Sequence, residues 1–446
     1  MKNFCFITLA FLLSVSVQSQ QFQWAKTFGN THYEAARGVA ADHHGNVYVT
    51  GNFFNTVDFD PGSGTHNLTS AGDKDIYFLK LDAFGNLLWA HSMGNAGRES
   101  GEAVAVDNQG NVYFTGFFTR TIYPDRNNPS ASIHATVGGH LFVVKLDPNG
   151  NLIWAAQTNS TNHNTRITPY DIEIGPNGNV YVSGVVKGTG VIANAYISGG
   201  TSFTTDGNAF LLKLDTLGNY VMHQQMSGSS SSLFHGLAID QQENIYAAGL
   251  IGGQTYYTHP VHGRVNLSTA GRTDIIICRF QANGDYDWLH VLGGGEFDTG
   301  NDVALDGHGN LYVTGNFSLT TDFDPDTTSF SLTADGSGQY DLPNIFMARY
   351  KVNGDFDWVK QFGTFNRDEG VTIIVDDSSN IYLGGHFELS ADFDPGTPVE
   401  TLYAYGDEET FVAKYDSLGN FIWAEELGGN GIDLGEDMYL DALGNI

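Results

Sequence analysis

One hexapeptide occurs six times along this chain, and it limits the possible folds more than any other feature. Asn46-Val47-Tyr48-Val49-Thr50-Gly51 reappears with small changes at 111–116, 179–184, 244–249, 310–315 and 380–385. Its tyrosines, Tyr48, Tyr113, Tyr181, Tyr246, Tyr312 and Tyr382, stand 65, 68, 65, 66 and 70 residues apart. A fixed period marks a repeat architecture in which each unit buries its apolar face against a neighbour. This period is too long for a leucine-rich or ankyrin unit, so each unit is a module of several strands.

Two turns punctuate each unit. Asp42-His43-His44-Gly45-Asn46 is repeated at 107–111, 306–310 and 441–445, and Asp82-Ala83-Phe84-Gly85-Asn86 at 147–151, 215–219 and 416–420. Aspartate accepts backbone N–H bonds, and glycine takes the positive φ that a short hairpin loop requires. Two hairpins per unit mean four strands, expected in the first unit at 36–41 (a), 47–53 (b), 76–81 (c) and 87–93 (d). Composition agrees with an all-β chain, with 55 Gly, 30 Phe and 21 Tyr in 446 residues.

Two further residue types keep to one phase of the repeat. All six tryptophans, Trp24, Trp89, Trp154, Trp288, Trp358 and Trp423, hold one position, with Met222 in the remaining place. Identical residues in every unit point to packing, with each ring buried against a neighbouring sheet, rather than to a row of sugar platforms. Strand c carries Lys80, Lys145, Lys213, Arg279, Arg349 and Lys414. A cation inside an apolar strand needs a partner, and the turn aspartates are expected to supply it; six unpaired cations would instead form an anion-binding ring.

The unit Trp-x-x-x-Phe-Gly (24–29), Gly-Val-Ala-Ala-Asp-x-x-Gly-Asn-Val-Tyr-Val-Thr-Gly (38–51), Asp-Phe-Asp-Pro-Gly (58–62) and Asp-Ile-x-x-x-Lys-Leu-Asp-x-x-Gly-Asn-x-x-Trp (75–89) resembles the seven-bladed β-propeller repeat (SBBP) of exported bacterial surface proteins. The resemblance covers 22–446. It implies an exported propeller, and the family as such has no agreed biochemical activity. The expected fold is therefore an all-β propeller of four-stranded blades over 20–446, six complete and a partial seventh. An N-terminal d strand (22–29) and a C-terminal a strand (435–441) belong to that seventh blade, which one b and one c strand beyond Ile446 would complete.

The first 19 residues read as a signal peptide: Lys2, a 14-residue apolar run at 4–17, then Val17-Gln18-Ser19 as a cleavage site. The run is too short to span a membrane, and the expected location is secreted or cell-surface. Cys5 leaves with the signal; Cys278 sits in an apolar run and is expected to be buried and inert. Twenty basic against 50 acidic residues give a net charge of −30, which repels a phosphate backbone and excludes nucleic acid as a partner.

The b–c connections vary. In units one, five and six they carry Asp58 and Asp60, then Asp322, Asp324 and Asp326, then Asp392 and Asp394. Alternating carboxylates can hold Ca²⁺, or they can cap backbone amides in a Pro-Gly turn. No cofactor is otherwise required. In units two to four the connections diverge, at 123–128 with Tyr123 and Arg126, at 187–206, and at 256–262 with Tyr256, Tyr257, His259 and His262. Non-recurring residues are where a ligand surface is expected, so these six are the candidate ligand contacts, for a glycan or a surface protein. No catalytic motif is present in the sequence, and the reading is a non-catalytic binding or adhesion scaffold. The alternative is a propeller enzyme, a glycan hydrolase or lyase or a quinone-dependent dehydrogenase, with catalytic groups converging across blades.

Overall fold

The computed structural model describes residues 22–446 except 31, 126–127, 129–130, 136, 159–162, 188–207, 229–230, 260–262, 327, 336–341, 395 and 397–398. The signal segment and much of the 187–206 connection therefore lie outside the described residues. The chain is all-β, with no α-helix among those residues, and is arranged as a propeller. In unit one the strands are a, Ala35–Ala41; b, Val47–Phe53; c, Asp75–Leu81; and d, Leu87–Met93. They pair a-b-c-d, all antiparallel, as the hairpin turns require. The same order recurs in the next five units, whose a strands are Ser100–Val106, Arg166–Ile174, Ser232–Ile239, Thr299–Leu305 and Asp368–Val375. Units three and four share one sheet because Met226, Ser227 and Gly228 pair with Tyr257, Tyr256 and Thr255 on the long b strand Ile245–His259.

Five of the six apolar clusters among the described residues straddle two successive units, and the sixth packs unit one against Trp24 and Phe28. Tyr48, Ile76 and Phe78 of unit one, for example, pack against Phe114, Phe142 and Val144 of unit two. This is what the repeat demands, since a lone four-stranded sheet leaves both faces unburied. The segments expected as strands of a seventh blade do not form ladders: 22–29 and 435–441 have no regular strand. The C-terminal segment reaches both the N-terminal segment and unit one: Gln23 Nε2 donates to Asn445 Oδ1 at 2.8 Å, and on strand a of unit one Arg37 contacts Glu436 at 3.0 Å and the Val39 N–H donates to Asp437 Oδ2 at 2.7 Å.

The tryptophans pack, though they are half-buried rather than buried as expected. The indoles of Trp89, Trp154 and Trp288 lie over the c–d turn of the following unit: Trp89 Nε1 donates to Pro148 O at 3.3 Å, Trp154 Nε1 to Thr216 O at 3.2 Å and Trp288 Nε1 to Val352 O at 3.1 Å. A Cβ on Gly218 (φ +80°) would stand 2.8 Å from the Trp154 ring, so this turn needs glycine both for its backbone and for the close approach.

The strand-c cations are paired. Lys80 lies 3.5 Å from Asp42, Lys145 3.7 Å from Asp107 and Lys414 3.9 Å from Asp376, each over the strand-b tyrosine of its own unit. Arg279 and Arg349 turn to Asp287 and Asp357 on strand d, each at 2.8 Å. Unit three replaces the turn aspartate with Gly175, and Glu243 of unit four reaches back to fill the gap. Its carboxylate accepts from Asn179 Nδ2 at 2.8 Å and from Lys213 Nζ at 2.9 Å. Glu243 itself occupies, at φ +63°, the turn position that Gly45, Gly110, Gly178 and Gly309 hold in units one, two, three and five and Ser379 holds in unit six.

Glu243→Gly should therefore relieve the backbone but strand two donors, costing about 2 kcal/mol net. Adding Gly175→Asp should restore most of that loss, because it rebuilds the turn used by the other units. Urea unfolding of the two single variants and the double variant measures the coupling; additive effects would show that the two positions do not substitute for one another.

Candidate functional site in the axial cavity

In every unit strand a carries one extra residue relative to strand b, and the extra residue faces the axis. The register shifts fall between Ala36 and Gly38, Gly101 and Ala103, Pro169 and Asp171, Phe234 and Gly236, Gly300 and Asp302, and Gly370 and Thr372. The residues skipped are Arg37, Glu102, Tyr170, His235, Asn301 and Val371, and Glu436 takes the corresponding place in the C-terminal segment. A bulge re-aims a side chain. Here it directs unlike side chains toward one cavity of about 600 Å³, which the a strands and 436–439 enclose.

Below this rim three aspartates tie neighbouring units together. Asp171 accepts from the Leu237 N–H at 2.7 Å, Asp302 from the Ile373 N–H at 2.9 Å and Asp437 from the Val39 N–H at 2.7 Å. Each also accepts from the amide of the residue that follows it. Glu173 lies among them. Burial raises the Asp302 and Glu173 carboxyls well above the usual range, with the Asp171 charge adding to the effect, and burial pushes Asp437 up to about 7. Glu369 at the rim behaves oppositely. Hydrogen bonding from His386, whose Nε2 is 3.5 Å away, and the Arg367 charge hold it low.

The expected ligand residues do not converge. Tyr123 is half-buried in the unit-two connection, and Arg126 and His262 lie outside the described residues. His259 ends strand b of unit four, opposite Gly263. Tyr256 is half-buried beneath Arg264, whose guanidinium is 3.5 Å from the ring centre. Tyr257 must be corrected from surface anchor to core residue. It is 1% exposed, its hydroxyl donates to Gln224 Oε1 at 2.7 Å, and its ring packs edge-on against Phe280 and Tyr286. Adjacent residues of a strand face opposite sides, and pairing with unit three turns the Tyr257 side inward.

The aspartate loops cap backbone amides. Asp58 Oδ1 accepts from the N–H of Asp60 and of His66, Asp322 Oδ1 from Asp324 and Phe330, and Asp392 Oδ1 from Asp394 and Glu400. Asp60 and Asp394 accept from Gly62 and Gly396, and Asp324 from Asp326. Among the described residues no three His, Cys, Asp or Glu side chains form a group suited to a metal ion. Cys278 is buried, and burial raises its thiol far above the usual value.

No family model matches the chain. It is 23% identical over 508 aligned residues to an uncharacterized WD repeat-containing protein of Acanthamoeba polyphaga mimivirus, covering 94% of this chain and 35% of that protein. It is 27% identical over 146 residues to the regulatory protein FlaEY of Caulobacter vibrioides, covering 31% of this chain and 15% of that one. The chain thus spans about a third of the first relative's length and less of the second. Among solved structures, a protein of unknown function from Bacteroides caccae aligns with a TM-score of 0.35 at 8% identity, covering 79% of this chain and 90% of that one. A streptogramin B lyase aligns with a TM-score of 0.28 at 9% identity, covering 81% and 96%.

The axial carboxyls fix the sign of one pH effect. A carboxyl whose folded pKa is raised stabilises the fold below its unfolded value near 4 and withdraws that stability as pH rises through the folded value. Besides Asp437, burial and the Asp75 charge raise Glu99 to about 8, and burial raises Asp368 to about 8. The turn aspartates act at the other end. The Asn86 side-chain donor lowers Asp82, so its contribution is lost as pH falls below about 4. Stability should peak between about pH 4 and 5 and decline through pH 8. Melting temperatures across pH 3 to 9 check this, and a steady rise toward pH 8 would show that these carboxyls are not held protonated.

Proposed function

We propose that this chain is an exported, non-catalytic binding propeller of the SBBP type, and that its ligand, a glycan, sits in the axial cavity. In this reading 1–19 are the export signal, and 22–29 with 432–446 hold the seventh position of the ring. One observation carries the assignment of the site. At the phases of the tyrosine, the strand-c cation, the turn asparagine and the tryptophan the units largely repeat one another, whereas at the bulge phase Arg37, Glu102, Tyr170, His235, Asn301, Val371 and Glu436 are almost all different and face one cavity. Packing asks for recurrence, and recognition of one asymmetric ligand asks for its absence. Carboxylates, an amide, an imidazole and a phenol on a cavity of this size suit a polyhydroxylated ligand, which offers paired donors and acceptors and a ring face for Tyr170.

The non-catalytic part of the reading draws support from Asp171, Asp302 and Asp437. Each carboxylate is engaged by two backbone amides, a staple between units rather than an acid or base directed at a nucleophile. Tyr170→Ala combined with Asn301→Ala should abolish oligosaccharide capture on a glycan array while leaving the melting temperature within about 3 °C, because rim side chains carry little of the packing. Capture that survives both substitutions would move the ligand out of the cavity and back to the outer connections.

A further inference from the structure

The strand-b residue that follows the last glycine of each hexapeptide pairs with strand a, and in five units this pair is neutral. The pairs are Ala35 with Asn52, Ser100 with Phe117, Thr168 with Val185, Leu233 with Leu250 and Thr299 with Asn316. Unit six sets Glu369 opposite His386. Both line a side pocket of about 320 Å³ between unit six and 434–436, which shares Glu369, Val371 and Glu436 with the axial cavity. His386 is 9% exposed. Its Nε2 lies 3.5 Å from Glu369 Oε2, so in the neutral ring the proton sits on Nε2 and Nδ1 keeps a lone pair. Nδ1 has no hydrogen-bond partner. Glu408 lines the same pocket, and among the described residues its side chain has neither an ion pair nor a hydrogen bond. Arg367, also in this lining, is largely exposed and lies 3.4 Å from Glu369. The pocket thus sets three carboxylates and an imidazole lone pair against one guanidinium. The axial cavity continues the same sign, with Glu102, Asp171, Glu173, Asp302 and Asp437 in its lining and Arg37 already engaged by both oxygens of Glu436 at 3.0 Å.

We propose that the ligand is an amino glycan, and that the ammonium of one hexosamine residue is seated in this side pocket among Glu369, Glu408 and Nδ1 of His386. The inference rests on the axial-cavity reading above and names the ligand class for that site. A wall of acceptors asks for a group with several donors, and a primary ammonium brings three N–H bonds together with a charge. A hydroxyl brings one donor and leaves the carboxylates without a counter-charge, and an anion is repelled. A buried acceptor without a donor is costly, and the ammonium satisfies it. Val371 and Leu434 supply an apolar edge for the face of the sugar ring. Because the pocket and the axial cavity share lining residues, a glycan seated at one end by its ammonium extends into the cavity with its remaining rings. The failure of this pair to recur fits recognition: neutral pairs serve the seam in the other five units, so packing does not require a carboxylate opposite an imidazole.

Calorimetric titration of the full chain with triglucosamine, tri-N-acetylglucosamine and trilysine near neutral pH tests the proposal. The two sugars differ in the acetyl groups that remove the charge. The free amine should bind roughly tenfold more tightly than the acetylated trimer, and the advantage should shrink as salt is raised. Glu408→Gln with His386→Phe should remove the advantage and leave binding of the acetylated trimer unchanged; Phe117 fills the place of His386 in unit two. The comparison of the two sugars on the unsubstituted protein holds even if the double variant fails to fold. An advantage that survives the double variant would put the ammonium elsewhere and overturn the seat. Equal binding of both sugars, abolished by the Tyr170 and Asn301 substitutions, would overturn the ammonium anchor and keep the cavity. Trilysine binding as tightly as the amino sugar, with no binding of the acetylated trimer, would make the ligand a basic peptide and overturn the glycan. Absence of binding by all three would overturn both readings.

Discussion

Five of the six units of this propeller close strands a and b with a turn carboxylate that captures the amides two and four residues ahead. Asp42 Oδ1 accepts from the N–H of His44 and of Asn46, each at 3.0 Å, and its Oδ2 accepts from Asn46 Nδ2 at 2.7 Å. That closure sets the hairpin register, and the register places Tyr48 over the turn, with its hydroxyl donating to Asp42 Oδ2 at 3.1 Å, and Lys80 beside both. The sister turn at the other hairpin presents the carbonyl and the glycine surface on which the preceding unit's tryptophan rests. One local hydrogen-bonding device thus organises both the inside of a unit and the seam to its neighbour. Unit three shows the constraint by violating it: without a carboxylate at Gly175, the neighbouring unit supplies Glu243 at the cost of a left-handed backbone.

Rigid repetition leaves few places for individuality. The strand-a bulge is one of them. An extra residue at that point costs a ladder position but projects a side chain the packing does not need, and seven such side chains share one axis. The same geometry accounts for the crowding of carboxyls below the rim. Close approach of adjacent a strands admits only small residues or a carboxyl that bonds across the seam: a Cβ on Gly236 would stand 2.6 Å from the Cα of Asp302. The aspartate staples and the bulge residues are therefore neighbouring tiers of one structure.

The residues themselves settled a good deal. The period, the four strands, the pairing of each strand-c cation and the recurrence of tryptophan all follow from local chemistry, in which a turn needs an acceptor and a left-handed glycine and a buried cation needs an anion. These are short-range requirements, and they leave the same residues at the same spacing in each copy. The strands expected at 36–41, 47–53, 76–81 and 87–93 are found within one residue of those bounds for this reason. Where chemistry would gather was not legible in the same way. Tyr256 and Tyr257 look alike in sequence, yet pairing with a neighbouring unit's d strand buries one of them. The bulge residues left a trace, a position in strand a that largely fails to recur from unit to unit. Only the tertiary structure brought those residues to one cavity, because convergence of seven residues spread over about 400 positions is a property of how the units are arranged and not of any unit. The sequence by itself determined the unit, its turns and its seams, since those are contacts between near neighbours; the axis they enclose was decided by how the units are brought around it.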